Sequence, residues 1–149
     1  MKIDHVTAVV DDINRVAIVL EAILGTSSNA CLRLPGMAIR SFRIGDSELH
    51  LCAATGPGPV QDHHGRHGTG YHHLALRVDD IDAALTDLER RGFPALGDPV
   101  ETAPGLREVF LDGSTTGGLL IQIVERKGQG DTAYELDSAA LEQLEDRLR

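Results

Sequence analysis

The apolar positions of this chain follow two alternating rhythms, one suited to strands and one to helices. Residues 2–10 are rich in Ile, Val and Thr, which predicts a strand. From Ile13 the spacing changes. Ile13, Val16, Ala17, Leu20, Ile23 and Leu24 recur as one face of a helix, with Asp11 or Asp12 placed to cap it and Gly25 to stop it. Strands are then predicted over 30–34, 38–44 and 47–54, broken by Pro35-Gly36 and by a Gly45-Asp46 turn. The same order returns later: a strand over 71–78, a helix over 80–91 with Ile81, Ala84, Leu85 and Leu88 on one face, then strands near 98–102, 106–112 and 118–125. Gly92 and Pro94 end that second helix, and Asp112-Gly113 marks a turn. Between the two halves, residues 55–70 (TGPGPVQDHHGRHGTG) read as a linker that doubles as a loop over a site. After a polar stretch over 128–136, residues 138–148 suit a short amphipathic helix with Leu141, Leu144 and Leu148 on one stripe. That helix belongs to neither half and is expected on the outside or across a subunit boundary.

The return of the pattern is a repeat of sequence as well as of rhythm. IDHVTAVVDDIN (3–14) lies over YHHLALRVDDID (71–82) at a shift of 68, so that His5 falls on His73 and Asp11-Asp12-Ile13 on Asp79-Asp80-Ile81. The fold class expected is α+β: tandem β-α-β-β-β modules, 1–54 and 71–126, whose sheets curve into an open cup with the helices outside, plus a C-terminal helix.

Composition narrows the function classes. A net charge of −9 argues against nucleic acid as a partner, because phosphate neutralisation dominates that affinity. No apolar run reaches the length of a membrane span. Strand-like sequence starts at the N-terminus, so no signal peptide is expected and the compartment implied is the cytoplasm. Cys31 and Cys52 have neither disulfide nor metal-site spacing and read as small core residues. Aromatic residues make up 3% of the chain, too few for a site built on stacked rings. The partner left is a small molecule.

Strand alternation selects the side chains that would line the cup. If His5 points inward, so do Ile3, Thr7 and Val9; if His73 does, so do Tyr71, Ala75 and Arg77, while His72 points away. In the last strand of the first module, His50 shares a face with Glu48 and Cys52. In the last strand of the second, Gln122 shares one with Leu120 and Val124. Matching these strands takes a shift of 72, four more than 68, which places a longer hairpin around Ser114-Thr115-Thr116-Gly117. The repeat thus makes His5, His50, His73 and Gln122 equivalent in pairs. Three imidazoles and an amide oxygen around one point would bind a divalent metal ion: Co, Ni, Mn, Fe or Zn.

The segments IDHVTAVVDDI, GTGYHHLALRVDDIDAALTDLERRGF and GGLLIQIVE resemble the vicinal oxygen chelate superfamily, which includes glyoxalase I, extradiol dioxygenases and bleomycin-resistance proteins. Within it they are similar to the methylmalonyl-CoA epimerases. The resemblance covers about residues 2–126 and leaves 127–149 as an added tail and helix. It implies the same four metal ligands and a homodimer. It also implies a glutamate at the place of Gln122 and a second one before the strand that follows Pro35-Gly36, where this chain has Leu34 and Pro35. An amide accepts no proton at useful pH, so the base must be sought elsewhere.

Glu48 is the first candidate base and Tyr71 a candidate donor to a substrate oxygen. His63 and Arg77 are candidates for substrate binding, with His64 and His67 in the same loop as His63, and Arg40, Arg43 and Arg107 expected at the mouth. The function expected is a metal-dependent isomerase or lyase that stabilises an enolate of a small carbonyl or acyl-thioester substrate. The alternatives are a metal-free ligand-binding or resistance protein of the same fold, and a glyoxalase I-like lyase.

Overall fold

The computed structural model describes residues 1–128 and 136–148; the polar stretch expected over 128–136 falls almost wholly outside them. The chain forms two compact units, His5–His73, and Leu74–Arg149 together with Met1–Asp4. Their elements follow the expected order: β1 (Lys2–Val9), α1 (Ile13–Leu24), β2 (Leu32–Leu34), β3 (Met37–Ile44), β4 (Ser47–Ala54), α2 (Pro59–His67), β5 (Gly70–Val78), α3 (Ile81–Arg90), β6 (Val100–Ala103), β7 (Leu106–Phe110), β8 (Ile121–Arg126) and α4 (Ser138–Asp146).

In the first unit the strands lie in the order β2-β3-β4-β1, with β1 parallel to β4 and the other pairs antiparallel. The second has the same plan, β6-β7-β8-β5, with β5 parallel to β8. The Asp12 carboxylate accepts from the backbone N–H groups of Asn14 and Arg15, so the first helix starts where the sequence places its cap. Asp80 does the same for α3 through the N–H of Ala83. Gly25 closes α1 in the left-handed conformation that favours glycine.

Within each unit the strands are covered on both faces. In the first unit, Ala8, Val10, Ala38, Phe42, Leu49, Leu51 and Ala53 pack against Ile13, Val16, Ala17 and Leu20 of α1. The other face carries Val9, Met37, Ile39 and Cys52, which pack on Val60 of α2. In the second unit, Leu76, Val78, Val109, Leu111, Ile121 and Ile123 meet α3. The opposite face carries Ala75, Leu106, Val124 and Phe110, covered by Leu136 and by Ala140, Leu144 and Leu148 of the C-terminal segment.

Two expectations need correction. Residues 59–67 of the expected linker form a helix. Pro59 suits its first turn, and Val60 anchors it in the core; its remaining residues are polar, so no apolar stripe announces it. The C-terminal helix, expected outside or across a subunit boundary, is seated on its own unit, on the face opposite α3. There Leu144 is 1% exposed against Val100 and Phe110, and Arg147 donates to the carbonyls of Leu96 and Asp98. Periodicity gives a helix its apolar stripe but not the sheet face that receives it.

Candidate active site

The site is built on the α2 face of the first unit. His5 and Thr7 of β1 alternate onto the same side as Val9, and Glu48 and His50 of β4 onto the same side as Cys52, because side chains two apart along a strand share a face. The β1–β4 register sets His5 opposite Glu48 and Thr7 opposite His50. The β5–β8 register sets Ala75 opposite Gln122. Thr7 and Ala75 are related by the shift of 68, and His50 and Gln122 by 72, so both ladders have one register. Ser41 pairs with His50 and Phe110 with Gln122, so three of the four extra residues lie between β7 and β8, in the loop that holds Ser114 to Gly117.

The imidazoles form a continuous run. His5 stacks on His50, with ring centroids 4.1 Å apart and planes 11° from parallel. The edge of the next ring follows, with His5 and His73 centroids at 5.2 Å and their Nε2 atoms 3.1 Å apart. The Thr7 hydroxyl oxygen is also 3.1 Å from His73 Nε2. Beyond His73 come His72 at 5.0 Å, His63 at 4.4 Å and His67 at 4.7 Å, each measured from the ring before it. Six of the seven histidines of the chain belong to this run. The seventh, His64, pairs with Asp11 at 2.6 Å.

Burial lowers the proton affinity of three of these rings, His63, His72 and His73. Desolvation, then the neighbouring His63 and His67, push His72 down to about 4. Desolvation, then His5, hold His73 well below the usual histidine range. His63 is lowered by burial and then by His67. At neutral pH, His72 and His73 are therefore uncharged, the form that can bind a metal.

The donor set fits a divalent ion in part as it stands. Two imidazole nitrogens about 2.1 Å from a metal and at right angles sit about 3.0 Å apart. The His5 and His73 Nε2 atoms match that spacing. His50 does not yet join them. Its Nε2 donates to Glu48 Oε2 at 2.7 Å, and its ring is nearly parallel to that of His5, so their in-plane lone pairs do not meet. Among the described residues no three His, Cys, Asp or Glu side chains are arranged to hold an ion as placed. In the second unit, Gln122 is buried and its Oε1 has no hydrogen-bond partner. An unmet acceptor of that kind costs about 1–3 kcal/mol, which a ligand or water would recover.

The remaining candidates are dispersed. Glu48 is half-buried and bound to His50. Tyr71, 45% exposed, stands near the start of β5. His63 is in the imidazole run, on α2 and not on a loop. Arg77 belongs to the second unit, with its Nε 3.4 Å from Asp4. Arg40 and Arg107 do not serve a site mouth. Arg40 bonds Ser28 and Asn14, and Arg107 makes a two-pronged bond to Asp82 beside α3. Arg43 lies opposite Glu48 in the β3–β4 register. Strand alternation misplaced His72, whose Nδ1 is 2.7 Å from His73 Nδ1. The His63-x-x-x-His67 spacing, one helical turn, is the signal that would have put both rings on one helix face.

A family model, the Glyoxalase/Bleomycin resistance protein/Dioxygenase superfamily, matches residues 4–110. The chain belongs to that superfamily. Human mitochondrial methylmalonyl-CoA epimerase is 27% identical over 127 residues, covering 82% of this chain and 72% of the relative. Among solved structures, a hypothetical protein from Bacillus halodurans superposes with a TM-score of 0.79 at 26% identity, covering 88% of this chain and 98% of the other. Methylmalonyl-CoA epimerase of Streptomyces coelicolor, in complex with 2-nitronate-propionyl-CoA, superposes at 0.77 with 22% identity, covering 89% and 99%. The α+β fold of paired β-α-β-β-β units is thus shared with these epimerases. No described helix is long and apolar enough to cross a membrane.

Proposed function

We propose that this protein is a metal-dependent epimerase-class isomerase that moves the proton α to the carbonyl of a small acyl-thioester. The observation that carries the reading is the buried His5–His73 pair, with Nε2 atoms at ligand-to-ligand spacing and no charge on His73 at neutral pH. The superfamily membership and the relatives named methylmalonyl-CoA epimerase support the reaction class. His5, His50 and His73 would hold the ion, and Gln122, with its unpartnered amide oxygen, is proposed as the fourth ligand. A divalent ion there supplies Lewis-acid polarisation of a carbonyl oxygen.

The residues do the rest. Glu48, which His50 would release if it held the ion, is the proposed acceptor of the α-proton. Return of a proton to the opposite face gives the epimer, and return to the same face gives exchange with solvent. Tyr71 donates to a substrate oxygen, and His63 and Arg77 meet its anionic groups. The active form is proposed as a cytoplasmic homodimer.

One observation favours a second reading, a metal-free binding protein. As placed, every ring from His5 to His73 already has a polar or stacking partner. Metal analysis of the purified protein, with deuterium exchange at C2 of methylmalonyl thioester, separates the two. One ion per chain, lost on His5→Ala, together with exchange, supports the isomerase. Absence of both after loading with Co(II), Mn(II) or Zn(II) would sink it. Gln122→Glu, which restores a carboxylate, should raise the exchange rate at least tenfold.

A further inference from the structure

Two neutral imidazoles that meet nitrogen to nitrogen at hydrogen-bond distance must divide the roles, because each carries one N–H and one lone pair. His72 Nδ1 and His73 Nδ1 are 2.7 Å apart and both side chains are buried. Either His73 donates and His72 accepts, or the reverse. The two arrangements differ in what the far nitrogen of His73 presents. If His73 accepted at Nδ1, its proton would sit on Nε2, aimed at His5 Nε2 and the Thr7 hydroxyl. No lone pair would remain there. If His73 donates from Nδ1, Nε2 carries a lone pair, which accepts a hydrogen bond from the Thr7 hydroxyl and could turn to an ion.

We propose that His72 is a positioning residue: its bare Nδ1 accepts the Nδ1 proton of His73 and holds His73 in the tautomer that presents an Nε2 lone pair. The choice of this tautomer, like its consequence for metal binding, rests on the reading of His73 as a ligand through Nε2. His72 is in turn wedged by the edge-to-face contact with His63, whose ring leans on His67, so α2 braces the orienting ring from behind. A ligand histidine whose second nitrogen is bonded this way gains basicity and a fixed plane. This gives a purpose to the helix inside the expected linker, and to His72, the first histidine of a strand doublet, which alternation alone would turn away.

The test uses two substitutions and two readouts. An asparagine side chain carries its oxygen near the place of the histidine Nδ1, so His72→Asn keeps the acceptor, whereas His72→Leu removes it. Long-range proton–nitrogen NMR of the metal-free protein above neutral pH reports which nitrogen of His73 bears the proton. Wild type and His72→Asn should show it on Nδ1, and His72→Leu should show a shift toward Nε2. Titration with Co(II) alone should give a dissociation constant about 10–100-fold weaker for His72→Leu, and within a few-fold of wild type for His72→Asn. A wild-type His73 protonated at Nε2 overturns the proposal, even if the leucine variant fails to fold. So does a leucine variant with unchanged tautomer and affinity. If wild type binds no ion, the metal reading falls while the NMR result still decides the role of His72.

Discussion

Glu48 Oε2 accepts a 2.7 Å hydrogen bond from His50 Nε2, two residues farther along the same strand face. The carboxylate and a metal would compete for that nitrogen, so in the proposed mechanism an ion held by His50 would release Glu48 to act as base. Glu48→Gln removes the base and weakens the competitor. We expect its turnover to fall by about 10²-fold or more, the usual worth of a positioned base, with ion affinity unchanged or tighter. Steady-state exchange kinetics and metal titration check this. Full turnover with the ion lost would reverse the assigned roles.

Asp4 makes two bonds to Arg126, of 2.9 and 2.7 Å, across 122 positions of chain. Asp4 is 5% exposed, and Arg77 approaches it from β5. This fastens Met1–Asp4 to β8 within the second unit. Removing Asp4 takes away the carboxylate that Arg126 and Arg77 share, and with it two charge-assisted hydrogen bonds, at a cost of about 2 kcal/mol. Asp4→Ala should lose that much in urea unfolding. The Asp4→Ala/Arg126→Met double variant should lose less than the two single variants added together. An additive result would mean the pair is not coupled.

Much of this architecture was legible in the sequence, for reasons that differ by element. The repeat was readable because Asp12 and Asp80 cap both helices and because His5 and His73 share a strand position. The shift of 72 between His50 and Gln122 was readable because the β1–β4 and β5–β8 ladders have one register. Helix α2 was not, since Val60 is its buried apolar residue and imidazole contacts do the rest. Nor was the seat of α4, because a leucine stripe fits either face of a sheet. Alternation fixed the Cβ direction of His72 but not its ring, whose Nδ1, one bond beyond Cγ, reaches back to its neighbour.

The buried histidines make stability depend on pH. In the unfolded chain a histidine protonates near 6.5; in the metal-free folded protein His72 resists until about 4, and His73 until well below its usual value. The unfolded state therefore binds more protons below pH 6.5, and folding stability falls as pH drops. The loss continues until the folded rings protonate in turn. His72 alone accounts for about 2 kcal/mol between pH 7 and 5 at about 1.4 kcal/mol per unit. Urea unfolding at the two pH values should show at least that decrease. His72→Leu should remove its share of the slope; an unchanged slope would mean that His72 is not kept neutral by burial.

The C-terminal helix offers the last test. It has nine residues, too few to be stable alone in water, so its order depends on what it packs against. The face it covers includes Phe110, the register partner of Gln122 on β7. Leu144 is at the centre of that contact. Truncating a leucine so placed leaves a cavity and costs about 3 kcal/mol, against less than about 0.5 kcal/mol for one on an exposed outer helix. Leu144→Ala should therefore lower the urea midpoint in proportion, and it should also increase binding of an apolar dye as Phe110 is uncovered. Leu141, less buried on the same helix, should cost less when truncated. If both substitutions were neutral, α4 would not be seated on the Gln122 face in solution, and that face would be open to ligand from the side the helix now closes.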